Sequence, residues 1–422
     1  MHNKMEVFIL LILNQPFQGQ LGNILIDKLY NNSYSKLTIF SAFAKNSGVL
    51  RLKPSLENFK KSGGNVTAFI GIDLDGTSYE ALLNLFTLCD ELYVIHSENI
   101  STTYHSKIYL LENDTSAWCA IGSNNLTCGG LWTNFESSSI KEYVLPSQKS
   151  ELDSIYSIID KYSDSSYDCS IRIFSINDIE TLLGSNYINK EVSQKITTIR
   201  RRTFEKANYK KNCLFGSEKV SIPTIITTQK SKELSSKKKS KSQPNINQSI
   251  NSMKATPAFT NEQFWFEMRK STGGSRNILD LSKLGKIVVG SVAGTPYEYT
   301  DSTRMYGGVK FFELDPEDIT QEKNITINYL GKDYYPSTIK FAPNNGSWRI
   351  QLKGKPSDGT DELSKFGNHG DFVSKILIFE KITTDYYVLS LLDDSELDNI
   401  KSLSRVWGRN GNSENSKAYG ML

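Results

Sequence analysis

Along the first half of the chain, short apolar runs alternate with amphipathic stretches. The runs KLTIFSAF (36–43), NVTAFIGID (65–73), ELYVIHS (91–97), SKIYLLE (106–112) and AWCAIGS (117–123) predict strands. They are rich in β-branched and aromatic residues and bounded by Gly, Asn or Asp. The earlier run VFILLIL, Val7 to Leu13, predicts a buried first strand. Between these lie helix-like segments: LGNILIDKLYNN, LRLKPSLENFKKSGG and TSYEALLNLFTLCDE. The last opens on Thr77 with Glu80 three residues on, a capping-box spacing. ELDSIYSIIDKYSD then predicts a covering helix. Strands alternating with helices imply an α/β domain, a mixed sheet flanked by helices.

The pattern breaks between Thr227 and Lys254, where TTQKSKELSSKKKSKSQPNINQSINSMK has no apolar periodicity and is rich in Ser, Lys, Asn and Gln. Such a segment reads as a flexible basic linker. Just before it, KITTIRRRTFEKANYKK (195–211) is strongly basic and could face solvent or a phosphate backbone. Beyond the linker, KIVVGSV, VKFFEL, NITINYL, STIKFA, SWRIQLK, SKILIFEK and YYVLSLL follow as strands, with helix signal in DELSKF and DDSELDNIKSLSRVW. This succession predicts a mainly-β barrel or sandwich. The expected division is residues 1–226, a linker over 227–254, and a second domain over 255–422.

Composition changes this picture little. The 422 residues fit two or three domains, and a net charge of +3 does not by itself announce a nucleic-acid partner. Five scattered cysteines without a C-x-x-C point to reduced thiols in a cytoplasmic protein rather than to disulfides or zinc. The early apolar run is too short to span a membrane, and no small-residue cleavage site follows it.

The chemistry lies in YHSKIYLLENDTSAWCAIGSNNLTCGGLWTNFESS, Tyr104 to Ser138. Residues two apart on a strand share a face, so His105 and Lys107 should project together, and so should Ser123 and Asn125. Paired strands would join an imidazole, an ammonium, a hydroxyl and a carboxamide in one pocket. That set suits a phosphate: Lys107 gives charge, Ser123 and Asn125 give hydrogen bonds, and His105 can be the nucleophile. Glu136 could bond the far ring nitrogen of His105 and fix its tautomer.

His105, Lys107, Gly122, Ser123 and Asn125 resemble the phospholipase D superfamily motif, H-x-K-x(4)-D followed by G-S-x-N. The motif's aspartate falls on Glu112 here; that position is chiefly structural in the family, so Glu112 is not expected to be catalytic. A single motif implies a nuclease that pairs as a homodimer through its N-terminal domain. NQPFQGQLGNILIDKLY, SAFAKNSGVLRLKPSLENF, GIDLDGTSYEAL and GSNNLTCGGLWTNFESS resemble the catalytic half of NgoFVII/BfiI-type restriction endonucleases. In those enzymes a phospholipase D-like nuclease precedes a pseudobarrel similar to the plant B-three DNA-binding domain. FWFEMRKSTGGSRNILDLS and NNGSWRIQLKG resemble its two DNA-gripping arms.

On those arms Arg269, Lys270, Ser271, Thr272, Arg276 and Asn277, and then Asn344, Asn345, Ser347 and Arg349, are the candidate DNA-binding residues. Arg and Asn are the side chains that read guanine and adenine edges bidentately. Trp265 and Trp348 are expected in the core, His96 at a rim, His369 in a loop, and Asp73 and Asp75 in a strand-to-helix turn rather than a metal site. The resemblance implies a metal-independent, site-specific DNA endonuclease without cofactor, acting on double-stranded DNA through a covalent phosphohistidine. A separate methyltransferase would protect host DNA. The alternatives are a DNA-targeting nuclease subunit that needs a partner helicase or ATPase, and a phospholipase D-like phosphodiesterase.

Overall fold

The computed structural model describes residues 11–31, 33–193, 220, 222, 262–269, 277–411 and 413–422. Two compact units divide them, 11–193 with 220 and 222 in one and 262–422 in the other. The linker over 227–254 and the basic stretch 195–211 lie outside the described residues, as do Val7 to Leu10.

The first unit is built on one sheet of β1 (Leu11–Gln15), β2 (Lys36–Ser41), β3 (Asn65–Gly71), β4 (Glu91–Ile95), β5 (Lys107–Glu112), β6 (Ser116–Gly122), β7 (Glu136–Val144) and β8 (Ser170–Arg172). Their order is β1-β7-β6-β5-β2-β3-β4-β8. Strands β2, β3 and β4 are parallel neighbours, so the chain must cross back between them. Helices α2 (Asn46–Lys61) and α3 (Tyr79–Leu88) make those crossings, and α1 (Leu21–Tyr30) links β1 to β2. Leu37, Thr38, Ile39 and Phe40 are all buried along β2, so the centre of the sheet is covered on both faces, while β1, β7 and β8 keep exposed positions, Leu11 and Ile12 among them. Phe40, Phe69, Tyr93 and Leu110 pack with Leu152 and with Ile155 of α4 (Asp153–Ser163). Helix α5 (Ile176–Gly184) follows, closed at its start by a capping box from Ser175 and Asp178.

One expectation is corrected here, and one strand was not foreseen. Thr77 does not cap α3: Ser78 does, its hydroxyl accepting from Ala81 N at 3.2 Å. Thr77 instead donates to Gly71 O and accepts from Ala44 N, tying the ends of two strands together. Strand β7, ESSSIKEYV, escaped the apolar pattern because its serines and lysine alternate with few hydrophobic residues.

The second unit holds β9 (Gln263–Met268), β10 (Ile278–Leu281), β11 (Leu284–Gly290), β12 (Arg304–Tyr306), β13 (Glu322–Tyr329), β14 (Lys332–Ala342), β15 (Ser347–Gln351), β16 (Lys375–Lys381), β17 (Tyr386–Asp393), β18 (Val406–Arg409) and β19 (Ala418–Met421). They form one sheet, β10-β15-β14-β13-β17-β16-β9-β19-β18-β11-β12. Leu330 and Gly331, both at positive φ, make the two-residue turn from β13 to β14, which suits the twist of a hairpin. VKFFEL is not a strand: Gly308–Phe311 form helix α6, and Val309, Phe311 and Phe312 are buried in the core. Apolar residues at 309, 311, 312 and 314 fit either period, and the two glycines before them open a helical turn. Leu363–His369 form α7 and Leu397–Leu403 form α8, so His369 ends a helix rather than sitting in a loop. Trp265 and Trp348 are fully buried, as expected.

Candidate active site

The sheet register brings the chemistry to one end of the first unit. Ser41 at the close of β2 faces Lys107 at the start of β5. Gly122 at the close of β6 faces Ser138 near the start of β7, and Glu136 faces Gln15 at the close of β1. Adjacent antiparallel strands therefore deliver Lys107, Gly122, Glu136 and the β2 end to the same edge.

His105 lies two residues before Lys107, just outside β5, and its side chain is exposed. Lys107 is buried and turns its ammonium back, with Nζ 2.6 Å from His105 Nδ1 and 2.8 Å from His105 O. Partial desolvation, then the Lys107 charge, lower the His105 pKa, which favours the neutral ring. Burial lowers the Lys107 pKa as well, and the negative charge of Glu136 works against that. The His105 ring stands edge-on to Phe43, with centroids 5.7 Å apart.

Phe43 joins this pair to Asn125. The Phe43 amide donates to Asn125 Oδ1 at 3.2 Å, and its carbonyl accepts from Leu126 N and from Ser41 Oγ. Asn125 is thereby fixed by its oxygen, which leaves Nδ2 as the donor turned to other uses. Ser123 is exposed on the turn, its Oγ accepting from Ser137 N at 3.1 Å. A side chain at Gly122 would strike Ser137 O at 2.3 Å, and one at Gly130 would strike Asn125 O at 2.3 Å. The Gly-Ser turn and the backbone behind Asn125 thus admit no larger residue.

The structure places Glu136 differently from expectation. Its Oε1 accepts from Asn134 Nδ2 at 3.1 Å, and the His105 ring nitrogen that it was expected to hold is met by Lys107. The physical reason is reach: Lys107 shares the strand end with His105, whereas Glu136 enters two strands away. Glu112 sits at the far end of β5, where Oε2 accepts from Tyr156 O–H at 2.8 Å, in keeping with a structural role.

Two supports were not singled out for the site from sequence. Asp73 is buried; its Oδ2 accepts from Tyr104 N at 2.8 Å and its Oδ1 lies 2.6 Å from His96 Nδ1. It therefore pins the residue before His105, with His96 behind it and Tyr187 edge-on to that ring. Asn124 is buried between Gly130 O and Ser138 Oγ, while Tyr109 O–H donates to its carbonyl. The doubled Asn in GSNN was the available signal: one faces inward, the other serves the site. Among the described residues, no group of three or more His, Cys, Asp or Glu side chains converges as a metal site would, and no helix is long and apolar enough to cross a membrane. The described cysteines 89, 119, 128 and 169 are free.

In the second unit the candidate DNA-binding residues separate. Lys270, Ser271, Thr272 and Arg276 lie outside the described residues. Arg269 is committed internally: its guanidinium bonds both oxygens of Glu267 and the carbonyls of Asn415 and Ser416. Asn344 and Asn345 form an exposed turn between β14 and β15. Ser347 and Arg349 follow on β15, both bonded to Asp280, Arg349 through Nε at 2.8 Å. Asn277 precedes β10, whose residues Ile278 and Leu281 face Gln351 and Trp348. Asn277 thus lies at the opposite end of that strand pair from the Asn344–Asn345 turn.

No protein-family model and no curated protein matches the sequence. Solved structures that resemble it include the phospholipase D family member Nuc from Salmonella typhimurium, at 14% identity over 40% of this chain and 99% of that one, with a TM-score of 0.28. NucT from Helicobacter pylori matches at 12% over 36% and 94%, with a TM-score of 0.26. Phosphatidylserine synthase from Haemophilus influenzae matches at 13% over 48% of each chain, with a TM-score of 0.32. Likenesses of this size carry no argument about the chemistry of this chain, which rests on its own residues.

Proposed function

We propose that the protein is a metal-independent, site-specific DNA endonuclease that works through a covalent phosphohistidine. The observation that carries this reading is the contact of Lys107 Nζ with His105 at 2.6 Å, at the sheet edge where Ser123 and Asn125 also emerge. The resemblance of these residues to the phospholipase D motif supports it. His105, in its neutral form, supplies the nucleophile. Its Nε2 lone pair forms the N–P bond while a bridging P–O bond breaks. Lys107, Asn125 Nδ2 and Ser123 Oγ meet the charge on the phosphoryl oxygens.

The ring-nitrogen contact sets a condition on this step. An ammonium donating to Nδ1 leaves the proton on Nε2, where it blocks attack. A bound phosphate must therefore draw Lys107 onto its own oxygen and let the proton settle on Nδ1. The negative charge of Glu136 favours the charged form of that ammonium. In the homodimer the partner subunit's His105 starts as the imidazolium, protonates the leaving oxygen and becomes neutral. Water then attacks phosphorus and gives its proton to that neutral partner ring, while the N–P bond breaks to return a neutral nucleophile ring.

The second unit is proposed as the part that reads double-stranded DNA, through the Asn344–Asn345 turn, Ser347, Arg349 and the 270–277 segment. Plasmid cleavage by the purified protein in EDTA tests the whole reading, together with trapping of a phosphorylated protein by rapid acid quench. Cleavage should survive chelation, and the phosphorylated species should vanish in His105→Ala while DNA binding stays. A strict requirement for magnesium, or for an added ATPase, would overturn it.

A further inference from the structure

Beside the motif lies an open groove of about 490 Å³ that the mechanism does not use, bordered by Asn14, Phe17, Gln18, Phe135, Glu136 and Ser137. Phe17 and Phe135 stack on each other, centroids 5.4 Å apart, yet each remains 69% exposed. Two phenyl rings left in water at the mouth of a site are unfavourable for folding alone. Phe135 directly precedes Glu136, and Ser137 is hydrogen-bonded to Ser123, so the groove is continuous with the motif. Phe135 leads into β7, two strands from β5, and Phe17 follows β1, three strands away, so at about 4.8 Å per strand their backbones stand roughly 10 and 14 Å from that of Lys107.

The rim is made of amides. Gln18 Oε1 is taken by Asn14, accepting from its backbone and side-chain nitrogens at 3.0 and 3.1 Å. Gln18 Nε2 has no acceptor among the described residues. Neither Lys nor Arg borders the groove, and Glu136 does, so a phosphate is a poor occupant. Nor do two rings with a polar rim approach the roughly 800 Å² per partner that a stable protein interface needs. A flat, uncharged, hydrogen-bonding ring satisfies both the phenyl faces and the amides.

We propose that this groove binds an unstacked nucleobase, a few nucleotides along the strand from the phosphate held at His105. The proposal rests on the nuclease reading and adds to it that the substrate strand is splayed or single-stranded beside the cut.

The test is a binding cycle with the full-length protein. An oligothymidylate of about twenty nucleotides is compared with an abasic phosphodiester chain of the same length, for wild type, Phe17→Ser and Phe17→Trp. Stacking on an aromatic ring predicts a loss on the order of tenfold for Phe17→Ser on the thymidylate, no change on the abasic chain, and recovery in Phe17→Trp. Equal losses on both chains, or none on either, would overturn the proposal. So would a change of sedimentation coefficient in Phe17→Ser, which would assign the rings to a contact between copies. Failure of the nuclease reading would show separately, as wild type unable to hydrolyse bis(4-nitrophenyl) phosphate, a diester without a base.

Discussion

Glu80 offers a quantitative test of how the first unit is held together. It sits in the first turn of α3, buried, and its Oε2 accepts from Glu191 N at 2.9 Å. The Glu191 carboxylate lies beside it, accepting from Asn46 N at 2.6 Å and from Ser78 Oγ at 2.8 Å. Burial first, then the neighbouring Glu191 charge, push the Glu80 pKa up from 4.5 to about 7, while two backbone N–H groups and Lys190 pull the other way. A folded-state pKa above the unfolded one means that the native protein keeps a proton the unfolded chain has released. Stability from this site is therefore fully present below pH 4.5 and is lost as pH rises toward 7, by on the order of 3 kcal/mol. Glu80→Gln keeps the shape and the acceptor but has no proton to lose. Its stability relative to wild type should rise across that window by a similar amount and level off above it. Urea unfolding with a methanethiosulfonate pulse reads this unit alone, through its buried thiols Cys89 and Cys119. Parallel pH profiles for wild type and variant would refute the assignment of the proton to this pair.

Lys107→Met removes the charge that lowers the His105 pKa, so the ring should titrate at higher pH; with four histidines in the chain, proton NMR can follow it directly. Asp73→Asn weakens the bonds that hold Tyr104 and His96, and should cost roughly 1–3 kcal/mol of stability. It should also lower kcat by more than tenfold with little change in KM, since His105 loses its placement rather than its substrate. Arg349→Ala should weaken binding to the cognate site by roughly 1–3 kcal/mol if its terminal guanidinium nitrogens read a base, measured against single-base variants of that site. Arg269→Ala, whose fork is engaged by Glu267, Asn415 and Ser416, should instead lower the melting temperature and leave base preference alone.

The site was legible in the sequence because its residues sit close together at strand ends, where a period of two and a Gly-Ser turn mark them. His105, Lys107, Ser123 and Asn125 needed only the pairing of β5 with β6. What could not be read was contact across longer separations. Asp73 reaches Tyr104 from the end of β3, and it is β2, parallel to β3 and antiparallel to β5, that brings the end of one and the start of the other together. Phe43 is apolar and ordinary in sequence, yet its backbone carries the bond that orients Asn125. Which partner Glu136 meets depends on strand order, since β6 stands between β5 and β7.

The second unit shows the opposite limit. An arginine and an asparagine on a glycine-rich loop resemble a reading arm by composition, but composition does not say which donors remain free. Glu267 lies near the end of β9, two residues before Arg269, which directly follows the strand, and the guanidinium fork closes on that carboxylate. Arg349 faces Asp280 across a strand pair and engages it through Nε, and among the described residues no hydrogen bond takes its two terminal nitrogens. A bidentate reader must offer a pair of parallel donors. Of the two arginines, Arg349 meets that requirement without first breaking an internal bond. Base selection by this unit should therefore depend on the β14–β15 turn and the strand that leaves it, more than on Arg269.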